Sequence, residues 1–206
     1  MRFFYDWFFP ALWVAYFLYW RVAARGAKSD ERVEPLVSRI VRAVTFVFAF
    51  VLLMSPRQPI PMLYESYLSD TNWTTWFWIG AVVSVLGLGF AIWARLYLGS
   101  NWSRSVTIKR DHELITGGPY GLVRHPIYTG LLTGFVGTAI AIGQLRGLVA
   151  FAFLFAMLWY KLRLEERWMR LQFGEVYEQY AQRVPALVPL PLKMRQPKKT
   201  IEFLNR

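Results

Sequence analysis

Residues 117–130 read Gly-Gly-Pro-Tyr-Gly-Leu-Val-Arg-His-Pro-Ile-Tyr-Thr-Gly. Arg124 offers a forked cation and His125 an imidazole, with the phenols of Tyr120 and Tyr128 on either side. Pro126 suits the first turn of a helix, where a missing N–H is no loss. A helix starting there exposes unpaired amides and the positive end of its dipole beside Arg124. That combination favours an anion, a carboxylate above all. About thirty-five residues after Thr129 comes a second cluster, Glu165-Glu166, followed by Phe173-Gly174, Tyr177, Tyr180 and Val184-Pro185. Buried carboxylates need cationic partners. Arg124, Lys161 and Arg163 are candidates, and Lys161 stands four residues before Glu165, on the same helix face. A carboxylate here could meet a ligand's ammonium or the hydroxyls of a ribose. Each segment alone has a plainer explanation: a positive flank at a span end, or a solvated ion-pair face. Together they suggest a pocket for a charged small molecule at a membrane surface.

The membrane is implied by what lies between and around them. Hydrophobic residues make up 55% of the 206 and there are ten tryptophans, too apolar for an ordinary soluble domain. Five apolar segments are expected as helices: Phe3–Trp20, Ile40–Met54, Trp76–Leu98, Ile127–Ile142 and Leu148–Leu162. The first is read as a span rather than a signal peptide. The last two are short for a bilayer core of about 30 Å, which needs about 20 helical residues. They must borrow flanking residues, tilt or thin the bilayer. Gly143–Gly147 joins them into a tight hairpin. The expected fold is therefore all-α and polytopic, with about five transmembrane helices and a cytoplasmic helical lid.

Charge orients this fold. Lys and Arg number six in residues 21–42, one in 55–75, five in 95–126, one in the hairpin turn and ten in 161–206. The alternation places the rich loops in the cytoplasm, with the N-terminus outside and the C-terminus inside, in the inner (plasma) membrane of a bacterium. Both polar clusters then share one side. The net charge of +11 belongs to this topology rather than to nucleic-acid binding, so no nucleic-acid partner is expected.

Residues 1–206 read as one domain, with three spans in 1–98 and a cofactor loop, hairpin and lid in 99–206. Residues 164–183 read as helix, Gly174 break, short helix, lying along the interface and capping the cavity. Tyr177 and Tyr180 share a face and either line the lid or anchor it. Gly80, Ser84 and Gly87, with Gly130, Gly134 and Gly137, are expected to let two helices approach closely. Residues 55–75 form an outer loop rich in breakers, and the basic tail from 193 lies on headgroups. No cysteine is present, so neither disulfide nor thiolate chemistry is available. His112 and His125 are the only histidines and lack a third ligand nearby, so no metal is expected.

The pattern His112-x-Leu114-x-Thr116-x-Gly-Pro-Tyr-x-x-Val-Arg-His-Pro-x-Tyr-x-Gly, followed by Glu-Glu, Phe-Gly, Tyr-x-x-Tyr and Val-Pro, resembles the isoprenylcysteine carboxyl methyltransferase family. The likeness covers roughly residues 109–189. It implies an S-adenosylmethionine-dependent membrane enzyme with its cofactor pocket on the cytoplasmic side. Carried over by position, Tyr120, Val123, Arg124, His125, Tyr128, Glu165 and Glu166 contact the cofactor, with His112 and the Leu114–Thr116 stretch beside them. Arg124 and Glu165 take the catalytic roles. Lys161 falls on the acceptor side, where members often carry arginine. A point-charge lysine orients a carboxylate less rigidly than a fork, so the acceptor need not be a prenylated cysteine. The implied partners are a lipidic or amphiphilic methyl acceptor entering from the bilayer and the membrane lipids themselves. The sequence gives no oligomeric state. No Gly-x-Gly-x-x-Gly follows a strand, so a soluble dinucleotide-type fold is not expected. Two other functions stay open: a sterol-reductase-type membrane enzyme using a nicotinamide cofactor, whose Arg-His-Pro segment is similar, and a non-catalytic membrane scaffold.

Overall fold

The computed structural model describes residues 2–24, 30–33, 35–55, 60–68, 72–99, 107–109 and 114–189. In chain order these form α1 (Arg2–Ala23), β1 (Asp30–Val33), α2 (Leu36–Met54), α3 (Trp73–Leu98), β2 (Thr107–Lys109), α4 (Pro126–Ile142), α5 (Leu145–Phe173) and α6 (Glu175–Arg183). Short 3₁₀ turns occupy Pro61–Tyr64 and Gly118–Gly121. The protein is a helical membrane protein, and each expected apolar segment is a helix. β1 and β2 add a small antiparallel ribbon that periodicity did not predict. Helices α2, α3 and α5 are long and apolar enough to cross a membrane, whereas α4 is shorter. The 17 residues of α4 rise only about 26 Å at 1.5 Å each.

The helices run alternately up and down. Arg95 near the end of α3 donates to the Ala23 carbonyl at the end of α1, at 2.5 Å. Arg146 at the start of α5 donates to the carbonyls of Leu53 (3.2 Å) and Ser55 at the end of α2. Nearer its middle, α5 meets α2 through Phe153 and Phe48, with ring centres 5.0 Å apart. The ends of α1, α3 and α5 and the starts of α2, α4 and α6 therefore share one face, which carries Arg21, Arg39, Arg95, Arg124 and Arg170 among the described basic residues. Arg146 is only 9% exposed, so this arginine caps the end of α2 rather than serving as a surface charge.

Close packing of α3 on α4 forms the rigid centre. A Cβ added to Gly80 or Gly130 would come closer than 3.0 Å to the carbonyl oxygen of Gly137 or Gly87 across the seam. Ser84 satisfies the Gly134 carbonyl at 3.0 Å. Trp13 of α1 plugs the same layer, fully buried, and donates its indole N–H to Thr138 Oγ1 at 3.1 Å. On the face away from the polar clusters, residues 65–67 brace the hairpin turn: Tyr67 N–H donates to the Gly143 carbonyl, and Leu145 N–H to the Glu65 carbonyl.

One expectation needs correcting. Residues 164–173 are not a separate helix in the interface plane. They continue α5, which runs unbroken for 29 residues. No glycine or proline interrupts the chain between Gly147 and Gly174, so nothing stops the helix. At about 43 Å, α5 exceeds the hydrocarbon core, and its last turns carry Glu165 and Glu166 out on the rod itself. The break falls at Gly174, whose φ of +53° suits glycine best.

Candidate functional site

The site begins with a backbone seam. The tail after α6 folds back along the start of α4. Arg124 N–H donates to the Pro185 carbonyl at 2.8 Å, and His125 N–H to the Ala186 carbonyl at 3.0 Å. Thr129 Oγ1 donates to the Leu187 carbonyl at 2.7 Å. Pro185 offers no donor of its own but supplies an acceptor here. Before this seam the chain makes a tight turn at Gly117–Gly118, packed on Tyr97, where an added Cβ would strike the ring.

Arg124 then ties three elements together. Its Nε donates to Glu166 Oε1 at 2.8 Å, and Nη2 to the same oxygen. Its Nη1 donates to the carbonyls of Ala181 (3.0 Å) and Val184 (2.5 Å). The fork thus joins α5 and the lid to the start of α4, and Glu166 is one of the carboxylates for which Arg124 was a candidate partner. Glu166 is 3% exposed, and its second oxygen lies 3.3 Å from Arg170 Nη2. Arg170 also reaches Glu178 at 2.7 Å, clasping α6 to α5.

Glu165 faces the start of α4. Tyr128 donates its hydroxyl to Glu165 Oε1 at 2.6 Å. Lys161 Nζ lies 3.6 Å from the same oxygen and 5.3 Å from the centre of the Tyr128 ring. His125 sits between the two carboxylates, with Nδ1 3.6 Å from Glu165 Oε2 and Nε2 3.5 Å from Glu166 Oε1. Its ring stacks on Tyr128, 5.4 Å apart and nearly parallel. Burial alone would lower the imidazole pKa, but Glu165 and Glu166 outweigh it and hold the pKa above the ordinary 6.5. The lid is closed by phenols. Tyr180 donates to the Tyr120 carbonyl at 2.7 Å, and burial pushes its pKa up to about 12. Burial also raises Tyr120 and Tyr177, so all three stay neutral.

Six of the nominated residues meet in one cluster: Arg124, His125, Tyr128, Lys161, Glu165 and Glu166. Tyr120 and Val123 are buried in the turn beneath it, and Leu114 is partly buried at the edge of that turn. His112 lies outside the described residues. Arg163 faces elsewhere, over the Trp159 ring at 5.9 Å. Tyr177 is 3% exposed, so it packs inside the lid rather than anchoring it. Sequence reasoning missed Arg170, although its position four residues after Glu166 was a usable signal. Val184-Pro185 stood out in the sequence, but nothing local showed that Pro185 and Ala186 dock on the start of α4. Among the described residues no group of histidines and acids could hold a metal ion.

Comparison with known proteins follows this geometry. Residues 75–176 match the family model described as phospholipid methyltransferase. Over 149 residues the chain is 33% identical to protein-S-isoprenylcysteine O-methyltransferase B of Arabidopsis thaliana, covering 69% of this chain and 73% of that one. Over 120 residues it is 30% identical to the cobalt-zinc-cadmium resistance protein CzcN of Cupriavidus metallidurans, covering 54% of this chain and 51% of that one. The solved structure of the eukaryotic intramembrane Ras methyltransferase, an isoprenylcysteine carboxyl methyltransferase, superposes with a TM-score of 0.53 at 25% identity. That match covers 75% of this chain and 52% of the other. The chain thus spans about half the length of the last two.

Proposed function

Because the chain belongs to the isoprenylcysteine carboxyl methyltransferase family of membrane methyltransferases, we propose that it methylates, from S-adenosylmethionine, the carboxylate of a prenylated cysteine or a similar lipidic acid. The observation that carries this reading is the meeting of Glu165 and Glu166 with Arg124, His125 and Tyr128 across the α4–α5 hairpin.

The residues fit such a cofactor. His125 Nε2 is buried without a hydrogen-bond partner. Two carboxylates face one side of the cluster, suited to an ammonium and a ribose diol. Glu165 and Glu166 would hold those groups, with Tyr120, Val123, Tyr128 and Leu114 as walls. Arg124 acts first by fixing Glu166, and it meets the cofactor's carboxylate only by giving up part of its present set of bonds. When bound, S-adenosylmethionine supplies an electrophilic methyl group. Transfer to a carboxylate oxygen forms one O–C bond, breaks one S–C bond and moves no proton. No general base is therefore required of this chain. Its part is alignment and exclusion of water, and the lid of α6 and Val184–Leu187 suits the second task. Lys161, beside Glu165, faces the acceptor.

The whole chain works as one unit in this account, residues 1–98 as scaffold and 99–206 as the cofactor-holding half. The Lys/Arg-rich face is cytoplasmic, with the N-terminus outside and the C-terminus inside, in a bacterial plasma membrane. The alternation of basic loops supports this, and the buried Arg146 removes one charge from the sparse side. The test is transfer of labelled methyl from the cofactor into a membrane lipid extract and a farnesylated cysteine, with mass identification of the product. A methyl ester is expected. Labelled product that is an N-methylated amine, or oxidation of a nicotinamide cofactor in its place, would overturn the reading.

A further inference from the structure

A cavity of about 530 Å³ opens between α2 and α5. Its volume lies within the about 300–1,000 Å³ usual for small-molecule sites. Val41, Phe153, Ala156 and Met157 make its wall apolar, while Arg42, Thr45 and Tyr160 supply its polar groups. Val37 and Val41 at its edge are 71% and 57% exposed, so the groove opens sideways toward lipid rather than into the protein.

Arg42 is costly there. Arg42 belongs to the basic stretch 21–42, yet it stands inside α2 (Leu36–Met54) and is partly buried, so its charge carries a desolvation penalty. Arg42 Nη1 donates to Ser38 Oγ at 3.0 Å, within its own helix. Across the gap it is in electrostatic reach of Tyr128 and Glu165 in the cluster and of Tyr160 on the groove wall. Tyr160 on the groove wall immediately precedes Lys161 on α5, the helix that also carries the two carboxylates. An acidic acceptor approaching Glu165 and Glu166 meets like charge. Two cations can offset that repulsion from opposite helices: Lys161 on α5 and Arg42 on α2. The same charges repel an acceptor with an ammonium head.

We propose that Arg42 is a specificity-determining residue: the α2–α5 groove takes the hydrocarbon tail of the acceptor, and Arg42 selects a carboxylate head at the groove's inner end. This rests on the reading of the chain as a methyltransferase of lipidic acids and adds where the acid is recognised.

Binding, rather than turnover, tests it. Three fluorescent farnesyl probes with carboxylate, carboxamide and ammonium heads would be titrated onto the full chain in lipid nanodiscs, with S-adenosylmethionine affinity measured separately. Wild type should prefer the carboxylate over the carboxamide by about tenfold or more. Arg42→Gln should lose that preference while carboxamide binding and cofactor binding stay within about twofold. Arg42→Lys should keep part of the preference, and Ala156→Trp should weaken all three probes by filling the groove. An unchanged preference in Arg42→Gln would overturn the proposal, as would full probe binding by Ala156→Trp. If Arg42→Gln misfolds, Arg42→Lys decides: a preference reduced but not lost supports the assignment, and a preference unchanged or abolished refutes it. Wild type that shows the head-group preference but no cofactor binding would instead defeat the proposed function and leave Arg42's role standing.

Discussion

The seam between α3 and α4 and the junction of α4, α5 and α6 make opposite use of the same helix. Along its length α4 offers glycines to α3, and backbone meets backbone with no charged group between them. At its N-terminal end the same helix presents His125 and Tyr128 to two carboxylates, with Arg124 just ahead. The first contact gains from shape and dispersion, since lipid offers no hydrophobic drive between helices. The second consists of buried charges that are tolerable only when each has a partner. A site of buried charges needs neighbours that cannot yield, and the glycine seam provides them.

The largest expected effect breaks the seam. Gly80→Leu or Gly130→Leu should cost at least about 3 kcal/mol or abolish folding, because the obstructing atoms are backbone. Gly89→Ala on the same helix, where an added Cβ meets nothing within 4 Å, should leave the melting temperature in detergent almost unchanged. Equal losses from Gly89→Ala and Gly80→Leu would remove the distinction between the two regions.

Next comes the charged junction. Arg124→Ala leaves Glu166 buried with only His125 and the half-exposed Arg170 beside it and frees the carbonyls of Ala181 and Val184. A cost of about 3 kcal/mol is expected, with faster proteolysis at the lid. Arg124→Lys should recover less than half, since one ammonium cannot serve all three acceptors. Tyr128→Phe removes a single hydrogen bond to Glu165, and a loss of about 1 kcal/mol in thermal or denaturant unfolding is expected.

The pH response separates the regions again. His125 has a folded pKa above its ordinary 6.5 because Glu165 and Glu166 outweigh its burial. A raised pKa means the charged imidazole stabilises the fold. That contribution is complete below pH 6.5 and is lost as pH rises through the folded value. The melting temperature should therefore fall as pH climbs from 6.5, and His125→Gln should flatten the curve. Seam variants should keep the slope. The smallest effect belongs to Arg163→Ala, which gives up an outward contact with Trp159 and should change stability by no more than about 0.5 kcal/mol.

Much of this was legible in the chain. Apolar runs gave the helices, the stripe of glycines gave the seam, and the alternation of Lys and Arg put both polar clusters on one face. The Arg-His-Pro and Glu-Glu segments were readable because their chemistry is local: a helix start, and a carboxylate pair with Lys161 one turn earlier. What escaped depends on the third dimension. Arg124 was readable as a partner for the paired glutamates, but its bonds to the Ala181 and Val184 carbonyls of the lid were not, because no local spacing encodes their positions. Residues 164–173 looked like a separate surface helix because their composition changes from apolar to charged. Composition does not end a helix, however, and Gly174 does. Arg146 looked like a topological charge and proved to be a cap on α2. Arg42 was counted only as one charge of the basic stretch 21–42, because the groove it lines is completed by a helix more than a hundred residues away.

The central claim, that the arginine–histidine segment and the paired glutamates make one cofactor site, is tested most directly by calorimetric titration of S-adenosylmethionine into wild type, Glu165→Gln and Glu166→Gln. The account predicts saturable binding to wild type and affinity lowered at least about tenfold in each variant, with unfolding still cooperative. Identical affinity in all three proteins, or no heat of binding in the wild type, would contradict it.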